Sequence, residues 1–469
     1  MVESSTSDLI SGWNSRQYGA RVSAEQQEIE NRQLLSTLRG LSETDPEYWT
    51  FRHGSARAGT HGLSQYPAMM VPKMLEGLLQ AVCIEKRSKS VFDPFVGSGT
   101  TMVEALRSGF DFAGQDINPL AVLLCQVKSG PFAIERLKTG QQELLSRIKS
   151  DRKRRIEVNF EGLWKWFTPT IASDLSRIRR AISGEEHKWV RRVFWVALAE
   201  TVRLTSNSRT STFKLHIRSK DDLSSREILT LDVFERVLTN IVDRLGVEAE
   251  GLRAKSLLGP GGVYRPDLEI TLCDSSHSIK GPSTRKHDLL ITSPPYGDNT
   301  STVPYGQYSH LPLQWIDLKD ISSSIDPEII KTAYSIDALS LGGVRKNALD
   351  RVEGLRDCSS SLREALDNLA SHPRDRSSRV ASFCLDLDRS IDPILSSMKR
   401  GALMIWITGN RRVGGIAVPL DNILVELLEA RGATFLHRIN RRIPSKRMAT
   451  RNSVSSTMRE ESIQILRVG

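Results

Sequence analysis

Short apolar runs alternate along this chain with stretches whose apolar positions recur at helical spacing. Lys89-Ser90-Val91-Phe92-Asp93 reads as a strand entering a sheet. Thr100 to Gly109 follows as a helix, with apolar Met102, Val103, Ala105 and Leu106 and a glycine cap. Phe110 to Asp116 is a second strand, and Asn118-Pro119-Leu120-Ala121 opens the next helix. Asp288-Leu289-Leu290-Ile291-Thr292 has the apolar run of a strand covered on both faces, and Phe383 to Met398 is an amphipathic helix. Between them, Leu163-Trp166-Phe167, Ile171-Leu175-Ile178-Ile182 and Val190-Val193-Phe194-Ala197-Leu198-Val202 keep helical spacing, as does Asp232 to Leu245. Strands alternating with helices make an α/β chain.

Two of the turns carry chemistry. After the first strand come Asp93-Pro94-Phe95-Val96-Gly97-Ser98-Gly99-Thr100-Thr101. Gly97 and Gly99, lacking a Cβ, let the backbone turn tightly and approach a ligand, and the helix that follows offers free N–H groups. No Gly-Lys-Ser/Thr follows, so this is not a phosphate loop of the Walker kind, and Met102 stands where a dinucleotide fingerprint needs its third glycine. Asp116 lies 17 residues after Gly99, at the end of the second strand, where an acid can accept both hydroxyls of a ribose. The second turn is Ser293-Pro294-Pro295-Tyr296, directly after the 288–292 strand. Its two prolines fix φ and remove two donors, so a stiff turn presents carbonyls. These and the Ser293 side chain can accept both N–H bonds of an exocyclic amine, and Tyr296 offers a face for an extruded base.

Together these segments resemble the amino-methyltransferases that transfer a methyl group from S-adenosylmethionine to cytosine N4 or adenine N6 in DNA. The resemblance implies a Rossmann-like class I methyltransferase sheet, seven-stranded and mostly parallel, with S-adenosylmethionine as cofactor. Asp93, Pro94, Phe95, Gly97, Ser98, Gly99, Thr100, Thr101, Asp116 and Asn118 would hold it, joined by Tyr66 and Pro67 from the segment His61 to Pro72 over its methionine end. Leu268 to Asp274 resembles the third strand, with Asp274 at the adenine ring. Gly401 to Arg411 resembles a later strand and turn, Ile443 to Met448 a basic loop near the target base, and Glu461 to Leu466 the closing strand. Ser293, Pro294, Pro295 and Tyr296 take the catalytic role. A leading serine is the family's usual form in cytosine-N4 enzymes, whereas adenine-N6 enzymes commonly begin with Asp or Asn, so the expectation is a site-specific cytosine-N4 methyltransferase. Adenine N6, a guanine amine in RNA, and a catalytically silent DNA-binding subunit stay as alternatives. Carbon-5 methylation needs a cysteine nucleophile, usually after proline, and none of Cys83, Cys125, Cys273, Cys358 or Cys384 follows one. The family also suggests a separate restriction endonuclease as partner.

Spacing departs from a compact member. Asp274 comes 158 positions after Asp116, so residues 132–265 read as a helical insertion within a methyltransferase domain formed by 51–131 and 266–469. Residues 1–50 form a helical arm and 297–375 a cap over the target base, with 317–376 weakly patterned and in part ordered only by DNA. Counting charges, residues 131–265 hold 26 basic and 17 acidic side chains, +9 of the chain's net +10. A second basic run, Arg438 to Arg451, has six Lys or Arg and no acid. Such surfaces neutralise phosphates, which makes Arg203, Arg209, Lys214, Arg218, Arg442, Lys446 and Arg447 the candidate contacts to double-stranded DNA. Scattered cysteines and histidines lack ligand spacing, so no metal is expected. The N-terminus has no basic-then-apolar signal and no apolar stretch nears the ~18 residues of a membrane span, so the expected location is cytoplasmic.

Overall fold

The computed structural model describes residues 24–45, 47–51, 57–83, 90–277, 285–299, 301–443 and 460–469. Its strands are β1 Ser90–Asp93, β2 Asp111–Asp116, β3 Leu268–Leu272, β4 His287–Thr292, β5 Met398–Thr408, β6 Arg411–Val413, β7 Ile416–Val418, β8 Thr434–Arg442 and β9 Glu460–Arg467. Seven of them form one sheet in the order β3-β2-β1-β4-β5-β9-β8, while β6 and β7 make a separate hairpin. The pairs from β3 to β5 are parallel, and β9 runs antiparallel to both β5 and β8. Strand order reverses between β1 and β4, so the loops leaving their C-terminal ends diverge and open a crevice for a ligand. This is the expected Rossmann-like class I methyltransferase sheet.

Alternation along the strands divides the interior in two. Val91, Leu289, Ile291 and Ile405 point to one face, and Phe92, Leu290, Met404 and Trp406 to the other. The helices Thr100–Arg107 and Pro119–Lys128 lie against the first face, and over Pro119–Lys128 pack the inserted helices. Among them the Lys188–Thr205 helix is apolar nearly all round, with Trp189, Phe194, Trp195 and Leu198 at 2% exposure or less. It can be so because it runs between the helices Pro119–Lys128, Pro169–Ser183, Thr230–Ala254 and Tyr305–Trp315. The expected 232–245 helix is longer, Thr230–Ala254, and its far end is tied to the helix after the glycine loop. Glu248 accepts two bonds from Arg107, at 2.9 and 2.6 Å, and a third from Thr60. Arg107 also reaches Glu104, which pairs with His61 at 2.7 Å.

Two expectations need correction here. Residues 317–376 are folded, largely in short helices, with Leu341, Val352, Leu362 and Leu369 buried against the second face and Ile336 in the core of the first. The 438–451 run is not a uniform basic surface: on β8, Arg438 pairs with Asp421 and Arg441 with Glu461, while Arg442 alternates outward. Strand pleating sends neighbouring cations to opposite faces.

Candidate functional site

The crevice begins where β1 ends. Asp93 is fully buried, and its Oδ1 accepts from the Phe95 amide at 3.1 Å and from the Thr292 hydroxyl at 2.7 Å. That second bond joins the glycine loop after β1 to the proline turn after β4. Within the loop, Gly97 has φ +50° and Gly99 φ +80°, and a Cβ on Gly99 would lie 2.9 Å from Cys125 Sγ. The loop is held from beneath by the Pro119–Lys128 helix, whose buried Lys128 Nζ donates to the Ser98 carbonyl at 2.6 Å. Burial lowers that lysine to about 8.

Asp116 closes the other side. Its Oδ2 accepts from the Gly97 amide at 2.9 Å and its Oδ1 from the Asn118 amide at 2.8 Å. Burial raises both Asp93 and Asp116 to about 6. Asn118 caps its helix by accepting from Leu120, and donates to Tyr66 at 3.0 Å and to Ser309 at 2.8 Å. Tyr66 thereby stands as a wall, tilted against the Tyr305 ring at 5.8 Å.

In the proline turn, Ser293 Oγ lies 3.0 Å from the Tyr296 hydroxyl, which donates to Glu461 Oε1 at 3.3 Å. Glu461 is ion-paired with Arg441, whose Nε donates to the Trp49 carbonyl at 2.8 Å. Burial, then the nearby Glu461 charge, pushes the Tyr296 phenol well above its ordinary value. Gly297 follows at φ +157°, a backbone conformation that L side chains rarely adopt, with the Arg411 guanidinium close against it. Arg411 in turn pairs with buried Asp298 at 3.2 Å.

One cleft joins the two turns. It is partly open to solvent. Tyr66, Pro67, Pro94, Phe95, Gly97, Ser98, Thr100, Asp116, Asn118, Asp274, Ser293 and Pro295 all line it. Asp93, Gly99 and Thr101 lie behind the wall as supports, and Pro294 and Tyr296 complete the turn. Sequence reasoning had Met69 and Met70 inside the 61–72 segment, and Asn299, Tyr305 and the roof Ile336 to Leu341 inside the 297–375 cap, without singling them out, and it gave Glu461 no part beyond the closing strand. Two buried oxygens along the cleft, Ser98 Oγ and Asn299 Oδ1, find no hydrogen-bond partner among the described residues. Buried polar atoms are normally satisfied, so this lining fits a polar ligand bearing donors.

The profile of a family described as DNA methylase matches residues 19–126, which include the glycine loop and Asp116. The Type II methyltransferase M.MvaI of Kocuria varians is 30% identical over 443 residues, covering 92% of this chain and 94% of that protein. The chain belongs to the DNA amino-methyltransferases of the restriction-modification kind. Type II methyltransferase M.MjaII of Methanocaldococcus jannaschii matches the methyltransferase more locally, 33% identical over 97 residues, 20% of this chain and 17% of that one. A solved structure, the rRNA methyltransferase aviRa from Streptomyces viridochromogenes, aligns over 86% of each chain at 11% identity and a TM-score of 0.26, too loose a match to support any inference.

The methyltransferase's candidate DNA contacts separate by exposure. Arg203 is bound by Glu200 through two bonds, 3.0 and 2.6 Å, with a side chain only 12% exposed, so its charge is already met. Arg218 pairs with Asp222 at 3.1 Å. Arg209 and Lys214 are exposed on the 206–219 loop. That loop rests on the helix after the proline turn: Phe213 packs edge-on to Tyr308, and Leu215 N donates to Gln307. Arg442 is exposed on β8. Lys446 and Arg447 lie outside the described residues. Among the described residues no helix is long and apolar enough to cross a membrane, and no group of three His, Cys, Asp or Glu could hold a metal.

Proposed function

We propose that this methyltransferase uses S-adenosylmethionine to methylate the N4 amine of a cytosine flipped out of double-stranded DNA, at a specific site. The observation that carries the reading is the single cleft lined at one end by Asp116 and Gly97 and at the other by Ser293 and Pro295. Asp116 has lone pairs left for the ribose hydroxyls after accepting two backbone amides. Asp274 meets the adenine ring, and the glycine loop lies along the methionine end under Tyr66 and Pro67. Bound there, S-adenosylmethionine would supply an electrophilic methyl group. Ser293 Oγ and the Pro294 carbonyl accept the two N–H bonds of the amine, which draws its lone pair out of conjugation and toward that methyl, and the Tyr296 ring stacks on the base. Orienting the reacting groups in this way removes much of the entropic barrier.

The 206–219 loop, with Arg209 and Lys214, faces the phosphates beside the cleft, and Arg442 adds a further contact. The serine at the head of the turn favours cytosine over adenine. A separate endonuclease acting on the same site, and a cytoplasmic location, complete the proposal. The test is to express the protein in methylation-free cells, digest their DNA to nucleosides and quantify modified bases. N4-methylcytosine is expected, falling roughly ten- to a hundredfold in Tyr296→Ala as base–aromatic stacking is removed. N6-methyladenine instead would keep the chemistry and overturn the use of Ser293, and no modified DNA base would overturn the reading altogether.

A further inference from the structure

A serine is an ambiguous residue at the head of the proline turn. Its hydroxyl carries one proton and two lone pairs, so it can offer the target amine either a donor or an acceptor. Only the acceptor is useful there. An Asp side chain has no such ambiguity when ionised, and this chain lacks it at that position. What lies behind Ser293 resolves the matter.

We propose that Glu461 is a positioning residue that sets the direction of the hydroxyl chain, so that Ser293 presents lone pairs to the exocyclic amine. This rests on the reading above that an amine is the methyl acceptor. The direction is set from the closing strand inward. A carboxylate only accepts, and Arg441, 4% exposed and fixed to the Trp49 carbonyl, supplies the countercharge beside Glu461. The Tyr296 hydroxyl, 3.3 Å from Glu461 Oε1, therefore donates to it. Burial keeps this phenol protonated, so its single proton is committed and its oxygen is left to accept. The neighbouring group at 3.0 Å is Ser293 Oγ, whose own proton is thereby drawn toward Tyr296 and away from the cleft. Ser293 is left facing the cleft, which it lines, with lone pairs alone.

The arrangement also discriminates. A base with an amine at the reacting position donates to Ser293, whereas one with a carbonyl there, such as uracil in place of cytosine, sets oxygen against oxygen. Rejecting a mismatched polar group in this way is more effective than withholding an attraction.

The experiment is a double-mutant cycle on the full chain, with kcat and KM measured for DNA and for the methyl donor. Glu461→Gln can donate to Tyr296 and so reverse the chain, and it is expected to lower kcat about tenfold, the scale of one hydrogen bond removed or opposed, with KM for the donor unchanged. In a Ser293→Ala background, where no hydroxyl remains to orient, the same substitution should cost nothing further. An equal fold-loss in both backgrounds would mean that Glu461 only braces β9 and would overturn the proposal. If Ser293→Ala proves too slow to assay, binding decides instead. In duplexes whose target base lies opposite an abasic site, so that extrusion costs are matched, wild-type protein should prefer cytosine over uracil, and Glu461→Gln should bring that ratio toward one; an unchanged ratio rejects the idea. Wild-type protein that methylates no DNA amine would sink both readings, whereas an active wild type with an additive cycle would sink this one alone.

Discussion

Asp116 serves the fold with the same two oxygens that the proposed function gives to a ribose. It gathers the Gly97 and Asn118 amides while buried, and that burial raises it from 3.8 to about 6, as it does Asp93. A folded value above the unfolded one means that the native state favours the protonated acid. The stability these groups contribute is therefore present below about 4 and lost as pH rises through about 6. Under the proposed function ligand binding runs the other way, because ribose hydroxyls would donate to the ionised form. Affinity for the methyl donor should fall as pH drops below about 6, by roughly tenfold per unit at most. Calorimetry at pH 7.5 and 5.5 would measure this, and Asp116→Asn should bind weakly with the slope removed. A wild-type affinity flat across that range would contradict the role. Such residues were legible in the chain because glycine loop, acid and proline turn each sit in a few consecutive positions. Glu461 was not, and the roof residues Ile336 to Leu341 stood out only as part of the 297–375 cap. Glu461 meets the Tyr296 hydroxyl only through folding, from 165 positions further along the chain.

At the scale of elements, helical periodicity in residues 163–202 correctly announced helices, but periodicity does not say what a helix packs against. The Lys188–Thr205 helix belongs to the same cluster of buried side chains as Val91 and Leu289 of the sheet. Residues 317–376 failed in the opposite sense. Their helices, such as Ser335–Leu339 and Glu353–Cys358, span one or two turns, too short to establish a repeat. The join between inserted helices and glycine-loop helix depends on Arg107 and Glu248, with side chains 31% and 7% exposed. Removing Glu248 strips the guanidinium of its bidentate partner, although Glu104 remains. Glu248→Ala is expected to lose about 3 kcal/mol, the lower end for a broken buried pair, measured by denaturant unfolding. A change below ~1 kcal/mol would mean that apolar packing alone carries the junction.

For the whole molecule, net charge foretold a basic partner surface better than it foretold which cations form it. Of the candidates, Arg203 answers an acid three residues back in the chain and Arg218 one four residues further along, and Arg209 and Lys214 remain turned outward. Replacing Arg209 and Lys214 by alanine should weaken DNA binding for all sequences and reduce the slope of log affinity against log salt by roughly one for each phosphate left without its cation. Titrations between low and moderate salt would read this, with donor affinity as the unchanged control; an unaltered slope would move the DNA elsewhere. The way the inserted helices share the sheet's core has a bearing on engineering. A chimera that exchanges residues 132–265 for those of a relative must refill the places of Trp195 and Phe194 between the Pro119–Lys128 and Tyr305–Trp315 helices, and must supply Arg107 with a carboxylate in place of Glu248. It is expected to aggregate. The 206–219 loop closes on itself through the Ser208 to Ile217 bridge, and grafts confined to it, retaining Phe213, should keep the parent's melting temperature. New sequence preferences are therefore best sought by recombining that loop, with the helices beneath it treated as part of the scaffold.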